Sequence, residues 1–204
     1  MFAVIEGIEG SGKSTLQAGL AEALRARGRR VTTTREPGGS PLGDAIRALF
    51  LAPGPPVDPV AEAMLVNAAR AQHVAALIRP ALLRGEIVLC DRFVDSTLAY
   101  QGYGRGVDLG LLRSLCDIAA GSAIPDVTIL LDCEPTLSRR RLLERGSARD
   151  RLESESADFY ERVRNGFLTI ARESARHVVL HAGEDREALV AAALAAIEGV
   201  ETRV

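Results

Sequence analysis

The spacing G-x-x-x-x-G-K-S runs from Gly7 through Ile8, Glu9, Gly10, Ser11, Gly12 and Lys13 to Ser14. It is the spacing of a backbone loop that wraps a phosphate. Glycines let successive N–H groups turn inward on phosphate oxygens, and a helix starting at about Thr15 aims its positive end at the same anion. Lys13 supplies a point charge for β- and γ-phosphates, and the Ser14 hydroxyl a ligand for Mg²⁺. Of 25 lysines and arginines in the chain, Lys13 is the only lysine. A guanidinium is larger and shaped for bidentate contacts, so a tight phosphate cradle is one place where arginine substitutes poorly.

Other candidates lie at strand tips. Ile87–Cys90 is an unbroken apolar run closed by Asp91, and Val127–Leu131 has the same form closed by Asp132. Either acid suits the Mg²⁺ shell of a phosphate site. Asp91 is preferred because Arg92 follows it, where anionic oxygens would collect. Arg35 and Glu36 end a β-branched run and enter the turn Pro37-Gly-Gly-Ser-Pro41; they are either site residues or a surface ion pair. Periodicity alone reads Arg70 as a solvated helix charge, one turn after Val66, and His73 as structural or exposed. Six arginines between 139 and 151 repel one another unless anions lie nearby.

These residues need a scaffold of strands alternating with helices. Apolar runs at 2–5, 31–34, 87–90, 127–131 and 178–180 read as strands, and helical spacing predicts helices over 15–27, 42–51, 60–78 and 109–120, with an apolar stripe at Phe159, Val163, Phe167 and Ile170 and a closing helix over 184–198. Alternation of this kind gives an α/β fold, a five-stranded parallel sheet covered by helices on both faces. Residues 101–106 read as a flexible glycine loop. A single domain over 1–204 fits the length, and a net charge of −2 gives no sign of a polybasic surface for nucleic acid or membrane, while leaving room for local arginine clusters. Cys90, Cys116 and Cys133 lack metal-ligand spacing and read as reduced core thiols. With no stretch long and apolar enough for a membrane span, the chain is expected to be soluble and cytoplasmic.

Taken together, Ile5-Glu-Gly-Ile-Glu-Gly-Ser-Gly-Lys-Ser14, Thr34-Arg-Glu-Pro-Gly-Gly39, Ala61-Glu62 through Ala69-Arg70, Asp91-Arg-Phe93, Ser96, Ala99-Tyr-Gln-Gly-Tyr-Gly-Arg-Gly106, Pro125-Asp126 and Leu131-Asp132 resemble the bacterial thymidylate kinases of the P-loop nucleoside monophosphate kinase family. The resemblance implies the P-loop NTPase fold and transfer of the γ-phosphoryl of ATP to thymidine 5′-monophosphate (dTMP), with Mg²⁺ as cofactor and a homodimer as the assembly. It implies that residues 7–15 bind ATP, that Lys13, Arg92 and Glu9 act in catalysis, and that Ser14 and Asp91 hold the metal. Glu9, Arg35, Glu36, Arg47, Val66, Arg70, Arg92, Ser96, Thr97, Tyr100 and Gln101 would surround dTMP. Arg70 would read the thymine edge, Tyr100 would crowd the 2′ position, and Glu9 would face the sugar.

The family supplies a catalytic arginine either from the P-loop or from a lid. Gly10 stands at the loop position here, so the lid, residues 139–152, is expected to carry it in Arg145, Arg149 or Arg151. Val66 departs from the phenylalanine that the family commonly stacks on the base. A kinase for another nucleoside monophosphate, or a P-loop switch, is the alternative. Against a guanine-specific switch stands the lack of an Asn-Lys-x-Asp element, since the one lysine is Lys13.

Overall fold

The computed structural model describes residues 1–146 and 150–201. Strands β1 (Phe2–Glu6), β2 (Val31–Arg35), β3 (Ile87–Asp91), β4 (Val127–Asp132) and β5 (His177–His181) pair in parallel in the order β2-β3-β1-β4-β5. The expected five-stranded parallel sheet is therefore present. Its three inner strands are buried on both faces, which is why they read as unbroken apolar runs, whereas the edge strands β2 and β5 are partly exposed. Register places Ile5 beside Asp91 and Asp91 beside Arg35. The carboxyl ends of β1, β3 and β2 thus finish on a common line, the position where open α/β sheets bind ligands.

Between the strands run α1 (Lys13–Ala26), α2 (Pro41–Leu51), α3 (Pro59–His73), α4 (Arg79–Leu83), α5 (Val94–Thr97), α6 (Leu109–Ala120), α7 (Pro135–Arg145) and α8 (Ala157–Arg172), and α9 (Arg186–Glu201) follows β5. Leu16, Leu20 and Leu24 of α1 and the stripe Phe159, Val163, Phe167 and Ile170 of α8 join one core cluster. Phe2, Val4, Val88 and Cys90 face the other way, onto Val74, Ile78 and Ala81. Full burial stabilises each large apolar side chain by about 1.5–3 kcal/mol, enough to fix which face each helix presents. All three cysteines are buried free thiols, as expected. Among the described residues, no helix is long and apolar enough to cross a membrane.

Two local expectations fail for identifiable reasons. The helix expected over 60–78 stops being α-helical at His73; Val74–Ile78 is a π-helical turn before α4 resumes. Pro80 has no N–H for the carbonyl four residues back, and its ring crowds that carbonyl, so the preceding turn widens. The loop expected to be flexible is instead part of a second, well-buried π-helical segment, Leu98–Gly104, packed on α8. A Cβ placed at Gly104 would lie 2.7 Å from the Phe159 ring, and one at Gly102 would lie 2.5 Å from Leu109. Those glycines permit close approach, and Arg162 of α8 clamps the turn by donating to the Gly104 carbonyl at 3.1 Å.

Candidate active site

Gly12, with φ 103°, turns the loop from β1 into α1 in a conformation that side-chain-bearing residues rarely adopt. Helices α2, α3, α6 and α8 each have a serine or aspartate oxygen capping their first amides, but α1 has no side-chain cap. Its amides are left for an anion, reinforced by the helix dipole. Lys13 opens the helix with its Nζ donating to the Ile8 carbonyl at 2.8 Å. Burial, and then the charge of Arg92, push the ammonium down to about 8, against the pull of Asp91 and Glu9. A phosphate beside it would favour the charged form again.

Next to Lys13, the Ser14 hydroxyl donates to Asp91 Oδ2 at 3.0 Å, while Asp91 Oδ1 is buried with no hydrogen-bond partner. An orphaned carboxylate oxygen beside a hydroxyl is the donor chemistry that Mg²⁺ takes, so these residues fit the metal implied by the resemblance. Asp132, the alternative strand-tip acid, is engaged by Arg164 at 2.7 and 3.0 Å.

Arg92 joins several of the expected site residues. Its φ of 73° is rare for a residue with a side chain and costs about 1–3 kcal/mol, the kind of strain that concentrates at functional sites. The guanidinium donates to Glu9 Oε1 at 2.6 Å, Ser96 Oγ at 3.0 Å and the Tyr100 hydroxyl at 3.2 Å, and its carbon lies 5.0 Å from the Tyr100 ring centre. Tyr100 in turn donates to Glu9. Burial alone would raise Glu9, but Arg92, Lys13 and the Tyr100 hydroxyl outweigh it and hold the carboxyl below its usual value. Burial and the neighbouring Glu9 carboxylate push the Tyr100 phenol well up, so it remains a neutral donor.

The opposite wall is built on Arg70. It is buried, contrary to the solvated charge that periodicity suggests, and every direction of its fork is used: Nε to Glu36 at 2.8 Å, one terminal nitrogen to Asn67 at 2.8 Å, the other to the Phe93 carbonyl and Thr97 hydroxyl at 2.9 Å each. The second Glu36 oxygen lies 3.0 Å from His73 Nδ1, and His73 Nε2 lies 2.7 Å from Thr34 Oγ1. His73 is thus structural, and Arg35 and Glu36 are not paired with each other: Glu36 turns inward while the Arg35 side chain stays exposed. Burying an arginine and a glutamate together is tolerated because the guanidinium is fully hydrogen-bonded and each Glu36 oxygen has a partner.

Glu9, Gly10, Lys13, Ser14, Arg35, Glu36, Arg47, Val66, Arg70, Asp91, Arg92, Ser96, Thr97, Tyr100, Gln101 and Arg145 all line one open cleft at the carboxyl ends of the strands. Gly7, Ile8, Ser11, Gly12 and Thr15 are not part of that lining. Arg151 is also not part of it: its guanidinium is held by the fully buried Glu62, by the Phe50 carbonyl at 3.0 Å and over the Phe50 ring. Arg149 lies outside the described residues. The cleft also includes Pro37, Phe50, Phe93, Asp150 and Glu153, which residue type and spacing did not single out. Glu6 was missed as well, although it closes β1 as Asp91 closes β3, and that signal was legible.

A family model for thymidylate kinase matches residues 5–193. The thymidylate kinase of Deinococcus radiodurans is 48% identical over 198 residues, covering 97% of this chain and 96% of that protein. The thymidylate kinase of Solidesulfovibrio magneticus is 46% identical over 200 residues, covering 94% of this chain and 96% of that one. The crystal structure of thymidylate kinase from Ehrlichia chaffeensis superposes with a TM-score of 0.78 at 36% identity, over 97% of this chain and 98% of that one. A cleft that joins a phosphate loop, a metal-competent aspartate and a buried arginine wall is what this likeness over nearly the full length would require, and the chain belongs to the thymidylate kinase family.

Proposed function

We propose that the cleft transfers the γ-phosphoryl of ATP to dTMP, the activity of its family, with the following division of labour. Lys13 and the free amides of the loop and α1 hold the ATP phosphates. Arg92, fixed by Glu9 and Tyr100, neutralises oxygens where donor and acceptor phosphates meet. Bound Mg²⁺, held by Ser14 and Asp91, would add positive charge on the same oxygens. Little covalent chemistry is asked of the protein in such a transfer, so alignment and electrostatic neutralisation account for the rate. Arg145, the lid arginine that reaches the cleft among the described residues, adds charge as the phosphoryl group moves. Arg70 and Thr97 face the base, Val66 covers it, Tyr100 and Gln101 limit the sugar, and Arg35 and Arg47 receive the acceptor phosphate. Cytoplasmic location and a homodimeric assembly belong to the same reading.

The observation that carries it is the joining of Ser14, the orphaned oxygen of Asp91, and Lys13 to the Arg70 wall in one cleft. The test is ADP production with each nucleoside monophosphate in turn, with Mg²⁺ present and after chelation. Turnover that is fastest with dTMP and lost on chelation is expected. Faster turnover with another monophosphate would move the reading to that substrate, and ATP hydrolysis indifferent to any acceptor would replace it with a switch. Sedimentation at micromolar concentration tests the dimer.

A further inference from the structure

Glu6 is 1% exposed and none of the roles above uses it. Its Oε1 accepts from the Phe93 amide at 2.8 Å and the Ser96 amide at 3.2 Å, and its Oε2 from the Ser96 hydroxyl at 2.6 Å. That same hydroxyl oxygen accepts from Arg92 at 3.0 Å. A hydroxyl has a single proton to give. Donated to a Glu6 carboxylate, it fixes the hydroxyl's rotation and leaves the oxygen's lone pairs for Arg92; if Glu6 Oε2 carries a proton of its own and donates it, one lone pair goes to Glu6 and the Ser96 proton loses the acceptor that set its direction. The strained Arg92 backbone is held on its other side by the hydrogen bond that its amide donates to the Ile5 carbonyl at 2.9 Å. The tip of β1 therefore grips both ends of the Arg92–Ser96 turn.

We propose that Glu6 is a positioning residue for phosphoryl transfer: as a carboxylate it sets the direction of the Ser96 hydroxyl and, through it, holds the Arg92 guanidinium in place. This rests on the reading that places Arg92 between the two phosphates.

The charged and titratable groups around Glu6 come from several elements. Asp95 and Arg92 lie on the adjoining turn, with Lys13 on α1, Arg70 on α3, Cys90 on β3, and His177 on β5, which is 2.7 Å from Asp95. Burial, and then Asp95, raise Glu6 to about 7, opposed by Arg92 and by the Ser96 and Phe93 hydrogen bonds. A raised carboxyl stabilises the fold fully below its unfolded value of about 4.3, and that contribution is lost as pH climbs through 7. The ionised form that serves Arg92 grows over the same range, so fold and catalysis favour opposite states.

Glu6→Gln keeps the volume but presents an amide N–H₂ where Ser96 or the backbone amides need an acceptor. With MgATP and dTMP saturating at pH 8, kcat is expected to fall by about tenfold or more with the KM for ATP within about threefold. Between pH 8 and 6, kcat should also decline less steeply than in the wild type. Substrate phosphates titrate alike in both proteins, so the difference between profiles belongs to Glu6. Asp95→Asn should keep the high-pH rate and move the acid limb to lower pH. A folded Glu6→Gln protein with wild-type kcat and profile would overturn the proposal, as would an Asp95→Asn acid limb that stays in place. Should Glu6→Gln fail to fold, Ser96→Ala decides, since it keeps both backbone bonds to Glu6 and removes only the hydroxyl. A comparable loss in kcat is expected in a protein that still folds, with a lower melting temperature because Glu6 Oε2 loses its donor, and an unchanged kcat refutes the relay. A wild type without dTMP-dependent turnover would instead refute the kinase reading, which keeps the two failures apart.

Discussion

Asp91 and Asp132 end the two inner strands that flank β1 in the same sheet, after apolar runs of nearly the same character, yet they do different things. Asp132 is closed by a bidentate pair with Arg164, which also reaches Glu134 at 2.7 Å. Asp91 lies near a cation, Lys13, that is not bonded to it: the ammonium donates to Ile8 instead, and one Asp91 oxygen is left without a donor. The difference lies in what packs on each tip. Helix α8 lays a long guanidinium against β4, whereas the loop ahead of α1 holds its lysine back from β3. A satisfied carboxylate adds stability, and an unsatisfied one stores the capacity to bind a cation.

The sharpest way to break the comparison is at the two cations. Lys13→Met should remove about 10³-fold or more of the turnover while raising stability at pH 7, because a buried ammonium is being deleted. The sign follows from its lowered pKa: below about 8 folded and unfolded states are both protonated and the penalty is complete. Between 8 and the ordinary lysine value near ~10.4, the folded state gives up its proton first, and the penalty fades. Thermal melts across pH 7 to 10 should therefore show the stability gap between variant and wild type narrowing. A Lys13→Met protein that turns over normally would end the phosphate assignment. In Arg164→Met, by contrast, a buried carboxylate loses its partner, so the melting temperature should drop and kcat stay within about threefold.

One step smaller, the aspartates themselves should part company. Asp91→Asn is expected to cost about 10²-fold in kcat with little change in melting temperature, and Asp132→Asn to cost about 1–3 kcal/mol of stability with turnover kept. Equal losses of activity at both sites would mean that the tips are not specialised.

In the lid, two arginines are both paired but differ in where they sit. Arg145 pairs with Glu153 at 2.6 Å on the rim of the cleft, while Arg151 is locked to Glu62. Arg145→Ala should lower kcat by about tenfold with dTMP affinity nearly kept, and Arg151→Ala should chiefly destabilise, since Glu62 loses a partner while fully buried. Steady-state kinetics paired with denaturant unfolding separates the two. The smallest effect concerns the base wall: Val66 lines the cleft beside Phe93, and Val66→Phe should tighten dTMP by about 1 kcal/mol without touching ATP affinity. Weaker dTMP binding in calorimetric titration would mean that Phe93, already flanked by Arg70 and Phe2, leaves no room for a second ring.

The parts legible in the sequence are those whose signal is local. A phosphate loop is a matter of glycine conformations and one ammonium within eight residues, and an inner parallel strand is an unbroken apolar run closed by a polar tip. Both can be read without knowing their neighbours, as can the alternation that makes the sheet parallel. The π-helical turns could not be read this way. Gly102 and Gly104 carry the same letters as a flexible loop, and only the rings and methyls of α6 and α8 pressed against them make them rigid. Arg70 has the periodicity of a surface charge, and its burial depends on Glu36, Phe93 and Thr97, drawn from the loop after β2, the turn after β3 and α5. Arg151, Asp91 and Asp132 take their roles from partners far away in sequence, and Arg145 is paired with a residue eight positions on. Sequence determined which groups can carry charge and bind phosphate. Tertiary structure decided which of those charges are already satisfied, because a charge is quenched or left available by whatever packs within hydrogen-bonding distance of it, and that is set by how the helices cross the sheet.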